Sequence, residues 1–414
     1  MNERKLPVAD LLVRGASEVV TCDDSAGPWP GGRVRRGAVA VAGERILAVG
    51  SESEVVAAVD AAAAHVVDAG GGVVAPGFVD AHTHLVFGGS RVLEYASRLT
   101  RTREETIALG IPVGILATVE ATRAATEEEL AASARPRLDE MLRHGTTTVE
   151  SKSGYGLSTA DELKLLRVNR SLAAEHPLDL VSTFMGAHDI PPELDRSEYV
   201  DRVVEEQIPE VARLGLASFC DVFCDEGWFT PDDARRVLEA GIEAGLAPKI
   251  HAEQYARTGG ARLAAQLGCV SADHLNFASH DDLEALAAAG VVAVLMPLID
   301  FAVEHPRPIA AREWLKAGLT VALGTDLCPG GYALSMPLTL QFACRGNGLA
   351  PGDALRAATA GAAAACGLTD RGRIASGALA DLQVWNVESL EEMVYRIGHN
   401  PVRTVIKRGK VVHG

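Results

Sequence analysis

Eight short apolar runs, spread through the middle of the chain and separated by amphipathic stretches, leave few folds open. They fall at 77–84, 147–153, 180–188, 219–225, 248–254, 271–275, 291–297 and 320–326. Runs this apolar suit strands buried on both faces, and the intervening segments, such as 126–144, 231–244 and 281–289, have helical period and length. Strand and helix alternating eight times is the pattern of an α/β (β/α)8 barrel, whose right-handed crossovers order the strands around one axis.

The two ends read differently. Residues 8–70 carry short alternating runs punctuated by Gly and Pro, such as Asp10 to Arg14 and Ala38 to Ala42, and the pattern returns in 380–385 and 402–412. We therefore expect residues 1–72 and 371–414 to meet in one small β-sandwich, interrupted by a barrel of residues 73–370. A barrel of about 250 residues would leave this 414-residue chain enough for such a second unit.

Composition narrows the partners. At 48% hydrophobic and 23% charged the chain is an ordinary globular protein, and its net charge of −16 repels nucleic acid and anionic membrane surfaces. The opening Met1 to Pro7 lacks the apolar core of a signal peptide, and no apolar run approaches the roughly 18 residues that span a bilayer. A cytoplasmic homodimer acting on a small molecule, with no nucleic-acid or membrane partner, is the expectation. Seven cysteines, scattered without zinc-finger or disulfide spacing, read as reduced core thiols. Cys220 and Cys224 sit among Phe219, Val222 and Phe223 and read as part of a buried strand.

The chemistry gathers where the strands end. His82 and His84, two apart on an extended segment, point to the same side and can grip one cation together. His251 ends the fifth run, His274 the sixth and Asp326 the eighth. Any one alone reads equally well as a satisfied core histidine or a capping aspartate. Together, at strand ends that a barrel brings to one face, they would be costly to bury without a shared partner. Imidazole nitrogens with one carboxylate suit a single divalent metal ion, Zn or Fe. The fourth run has no Lys to be carbamylated into a bridge between two ions, which favours a mononuclear site and leaves Asp221 and Asp225 structural.

At this point the chain resembles the amidohydrolases, and among them the imidazolonepropionase family of histidine degradation. The resemblance covers nearly the whole length and is carried by His84-Leu85-Val86-Phe87-Gly88-Gly89-Ser90-Arg91, Lys152-Ser153-Gly154-Tyr155-Gly156-Leu157, Phe219 to Cys224 and Lys249-Ile250-His251-Ala252-Glu253-Gln254. It implies metal ligation by His82, His84, His251 and Asp326, and substrate contacts from Arg91, Tyr155, His188 and Gln254. Arg91 offers a fork of donors suited to a propanoate carboxylate. Two stretches depart from the family pattern. Glu104 to Ile107 and Gly110 to Ile115 replace a Tyr-containing segment and a Gly-Gly-Gly-Ile loop, and Leu327-Cys328-Pro329-Gly330-Gly331-Tyr332 replaces Phe-Asn-Pro-Gly-Ser-Ser. Cys328, Gly330 and Gly331 thereby become candidate substrate contacts.

The implied reaction is metal-dependent hydrolysis of the cyclic amide of 4-imidazolone-5-propanoate to N-formimidoyl-L-glutamate. Asp326 would take the proton of the attacking water, His274 would hydrogen-bond the carbonyl, and Glu253 would shuttle a proton to a ring nitrogen. The changed stretches keep open an alternative, an amidohydrolase or deaminase with the same centre acting on another small azaheterocycle. A catalytically silent metal-binding protein is the third reading, and the retention of every ligand type speaks against it.

Overall fold

The computed structural model describes residues 6–23 and 32–414; of the opening Met1 to Pro7 considered above, Met1 to Lys5 lie outside the described residues. Its centre is an eight-stranded parallel sheet in strict chain order: β1 Phe78–Asp80, β2 Thr146–Lys152, β3 Asp179–Ala187, β4 Phe219–Cys224, β5 Ala247–Ala252, β6 Ser271–His274, β7 Val292–Leu295 and β8 Val321–Leu323. Each starts within two residues of its expected start. The ring closes where Ala81 N meets Leu323 O at 3.3 Å, Asp326 N meets His82 O at 3.0 Å and His84 N meets Leu327 O at 2.7 Å. Gly324 permits this seam, since a Cβ there would lie 2.8 Å from the Cβ of His82. Helices such as Glu127–Arg143, Thr159–Glu175 and Pro231–Glu243 wrap the outside, each opened by a Thr or Ser cap.

The small unit has two sheets. One is built from the N-terminal strands Leu11–Arg14, Gly37–Ala42, Arg45–Ser51 and His65–Asp68. The other joins both ends of the chain, with Leu382–Trp385 between Val73–Pro76 and Val402–Lys407. Their inner faces meet in a core that includes Leu11, Val39, Val41, Val74, Leu382 and Ile406. Strand Val73–Pro76 pairs here and not in the barrel, so the expected cut before residue 73 falls four residues early. Trp385, fully buried and stacked 6.1 Å from Phe78, ties this sheet to the first barrel strand. Cys220 and Cys224 are buried thiols on β4.

Candidate active site

The C-terminal ends of the barrel strands open into a cavity of about 520 Å³, a size suited to a small ring compound. At its floor stand His84, His251, His274 and Asp326, with His82 fully buried against them. Candidate ligand atoms of His82, His84 and Asp326 lie within 4.8 Å of one another, and so do those of His82, His251 and His274. Asp326 Oδ1 is 3.5 Å from His82 Nε2 and 3.9 Å from His84 Nε2.

Backbone strain helps bring them together. A pleat sends Asp273 and His274 to opposite sides. His274, the last residue of β6, leaves the pleat at φ 76°, and Asp326, three residues beyond the end of β8, has φ 48°.

The imidazoles are oriented from behind. His82 Nδ1 donates to Asp273 at 2.6 Å and His251 Nδ1 to Asp221 at 3.1 Å, which leaves each Nε2 as a free lone pair facing the cluster. Those two nitrogens, with His84 Nδ1 and His274 Nδ1, are buried and have no hydrogen-bond partner among the described residues. Burial first, and then repulsion from Lys152 and the neighbouring imidazoles, holds His82, His84 and His274 well below the ordinary histidine pKa and His188 down to about 3, so all four are neutral. Buried, neutral, unpartnered nitrogens beside a carboxylate are a donor set that fits a divalent metal ion.

Beneath this cluster lies a layer of charge that sequence reasoning missed. Lys152 Nζ, fully buried, bonds Asp221 at 2.7 Å and Glu150 at 2.8 Å, with Asp273 at 3.4 Å. Burial opposes its charge, but the three carboxylates outweigh it and hold the ammonium well above its usual pKa. Asp221 is depressed in turn, because Lys152 and His251 overcome its desolvation. Asp221 thus steers His251, and with His251 and Asp273 it also forms a third set of candidate ligand atoms within 4.8 Å of one another. Asp225 accepts from the amides of Glu226, Tyr255 and Ala256 and shapes a loop.

Most expected substrate contacts line the cavity wall: Arg91, Tyr155, His188, Gln254, Cys328 and Gly330. Tyr155 is buried and its hydroxyl is pushed far above the usual phenol range, so it remains a donor. His188 stacks on His84 with ring centroids 4.6 Å apart, and its Nδ1 donates to Gly154 O at 2.9 Å. Arg91 is already gripped: Glu94 accepts from its Nε at 2.5 Å and its Nη2 at 2.7 Å. The Nη1 group remains, passing 3.2 Å from where a Cβ of Gly330 would stand. Trp228 and Tyr255, stacked at 5.7 Å, add aromatic wall that was not anticipated.

Two expectations need correction. Glu253 does not face the cavity; its carboxylate accepts from the amides of Thr258, Gly259 and Ala261, at 2.9, 2.9 and 3.2 Å. It thus caps helix Gly260–Leu267, whose own N-cap is a glycine without a side chain. Gly331 lies behind the wall, where its amide and carbonyl close a tight turn with Cys328.

Comparison with known proteins decides the family. A family model described as "Amidohydrolase family" matches residues 65–109 and 98–413. The chain is 46% identical over 415 residues to an imidazolonepropionase of Geobacillus kaustophilus, covering 97% of each. The chain belongs to the imidazolonepropionase family. A Halobacterium salinarum imidazolonepropionase is 45% identical over 420 residues, covering 98% of each chain. Among solved structures, the fold matches an adenosine deaminase from Xanthomonas campestris with bound zinc at a TM-score of 0.74 and 21% identity, covering 99% of this chain and 94% of that one. It also matches the atrazine chlorohydrolase TrzN from Arthrobacter aurescens, complexed with zinc, at a TM-score of 0.76 and 19% identity, covering 97% and 95%. Within the family frame, the two divergent stretches behave differently. Cys328 stays on the wall, whereas Glu104 turns to solvent.

Proposed function

We propose that this chain hydrolyses the cyclic amide bond of 4-imidazolone-5-propanoate to give N-formimidoyl-L-glutamate, using one divalent ion, Zn or Fe, held by His82, His84, His251 and Asp326. The observation that carries the reading is the meeting, in one small cavity, of this donor set with a guanidinium and a phenol on the wall. When bound, the ion supplies Lewis acidity, making water acidic enough to serve as a nucleophile near neutral pH.

The protein's own groups account for the remaining chemistry. Arg91 and Tyr155 bind the propanoate carboxylate, fixing the ring over the histidine floor. His274, neutral, donates a hydrogen bond to the ring carbonyl oxygen as negative charge grows there. Asp326 accepts the proton of the attacking water and returns it to the ring nitrogen as the carbon–nitrogen bond breaks. Gln254 and His188 face the ring from the side wall. Cys328, whose thiol is pushed up to about 12 by burial, brings no charge to the pocket.

Glu104 would oppose an acidic substrate if it entered the cavity, and its exposure removes that objection. The same reading places the enzyme in the cytoplasm as a homodimer; the exposed apolar side chains of Val92, Leu93 and Phe301 are consistent with a covered face. Steady-state assay of metal-loaded enzyme tests the function. A kcat/KM for imidazolonepropanoate of about 10⁴ M⁻¹s⁻¹ or above is expected. A rate far below that, with faster turnover of another azaheterocycle, would establish the alternative substrate class instead.

A further inference from the structure

The grip of Glu94 on Arg91 creates an electrostatic difficulty. Glu94 is buried, and its carboxylate engages Nε and Nη2 of Arg91 and also accepts from the amide of Gly114. Arg91 is therefore geometrically ready but electrically matched. An acid tail reaching its free Nη1 comes to rest beside a second carboxylate in a poorly screened site. A planar fork explains orientation; it does not explain attraction.

The same side of the mouth carries two more guanidinium groups, from Arg98 and Arg103. Arg98 stands 3.9 Å from Glu94. Arg103 has no carboxylate at salt-bridge distance among the described residues; its neighbour Glu104 turns to solvent. Its Nη2 lies 3.7 Å from the point a Cβ on Gly114 would occupy, on the residue whose amide holds Glu94. Three guanidinium groups thus face one carboxylate. Asp189 and Glu304 also line the cavity, so the positive character of this side rests on the three guanidinium groups gathered around Glu94. We infer that Arg103 is a specificity-determining residue: it supplies positive charge not tied up in an ion pair, which selects a substrate with an acidic tail, while Arg91, locked by Glu94, sets the tail's orientation. The inference rests on the imidazolone hydrolase reading above.

The test compares metal-loaded wild type with Arg103→Gln and Arg103→Glu on imidazolonepropanoate and on the corresponding propanamide, which keeps the ring and loses the charge. The readout is the ratio of kcat/KM for acid over amide. The ratio should fall roughly tenfold in Arg103→Gln and further in Arg103→Glu, mainly through KM, and the loss should shrink as salt rises, since an exposed charge is screened. An unchanged ratio in both variants, or a loss indifferent to salt, would overturn the inference. Wild-type failure to hydrolyse either compound would instead refute the underlying function. Calorimetric binding of imidazole-4-propanoate, which has no scissile amide, keeps the question answerable in that case: affinity equal in wild type and Arg103→Glu would overturn the charge role on its own.

Discussion

The floor of the cavity and its rim obey different rules. Under the floor, polar groups are held by partners at short range: His82 by Asp273, His251 by Asp221, and Lys152 by both aspartates and Glu150. These groups are buried, so their geometry resists change. The rim is made of short helices, Val92–Arg98 and Arg103–Ala108, with Val92 63% and Leu93 69% exposed. It contains one of the two stretches that depart from the family pattern, around Glu104; the other, Leu327 to Tyr332, follows Asp326 directly and brings Cys328 and Gly330 to the wall. Reaction type is written into the floor and substrate choice into the rim, and the two can vary separately.

Breaking the floor should cost most. His251→Ala removes an expected ligand, and kcat/KM should drop on the order of a thousandfold or more with metal content falling in parallel, while circular dichroism stays native. Full activity in metal-free His251→Ala would erase the distinction between the regions. Lys152→Met leaves Glu150, Asp221 and Asp273 facing one another without their shared cation. Denaturant titration should show a loss of roughly 3–5 kcal/mol, and a midpoint equal to wild type would mean that the layer is not held by charge. At the boundary, Arg91→Lys keeps the charge and loses the fork. It should cost about 2 kcal/mol, near thirtyfold in kcat/KM for the propanoate, and wild-type kinetics would show that no planar anion is read there. Glu104→Gln, on the outer rim, should change kcat/KM by less than about twofold; a large gain would place its charge against the substrate after all.

How much of this was legible in the sequence follows from the range of the interactions. Barrel strands are apolar on both faces, so their runs stand out, and residues at their ends could be assigned to one face before any contact was known. Glu253 was misjudged because Glu253 and Gln254 follow the strand together and pattern does not say which turns inward. The left-handed backbone of Glu253, φ 56°, swings its carboxylate to a helix start. The run Thr258-Gly259-Gly260, offering that helix no side-chain cap, was the available hint. Glu94 was also within reach, three residues from Arg91. The Lys152–Asp221 and Asp273–His82 pairs were not: the first spans 69 residues and the second 191. Such pairs exist only once the barrel has closed.

The left-handed turns at His274 and Asp326 also bear on how this protein can evolve or be engineered. Each keeps a branched side chain in a backbone conformation that favours glycine, at about 1 kcal/mol or more. Thermal selection without an activity screen would therefore reward Gly at 274 and 326, relaxing the backbone while deleting a reacting group at each step. The most heat-resistant members of such a library would be barrels with intact cavities and no catalysis, so melting temperature alone is the wrong guide to a better enzyme on this scaffold.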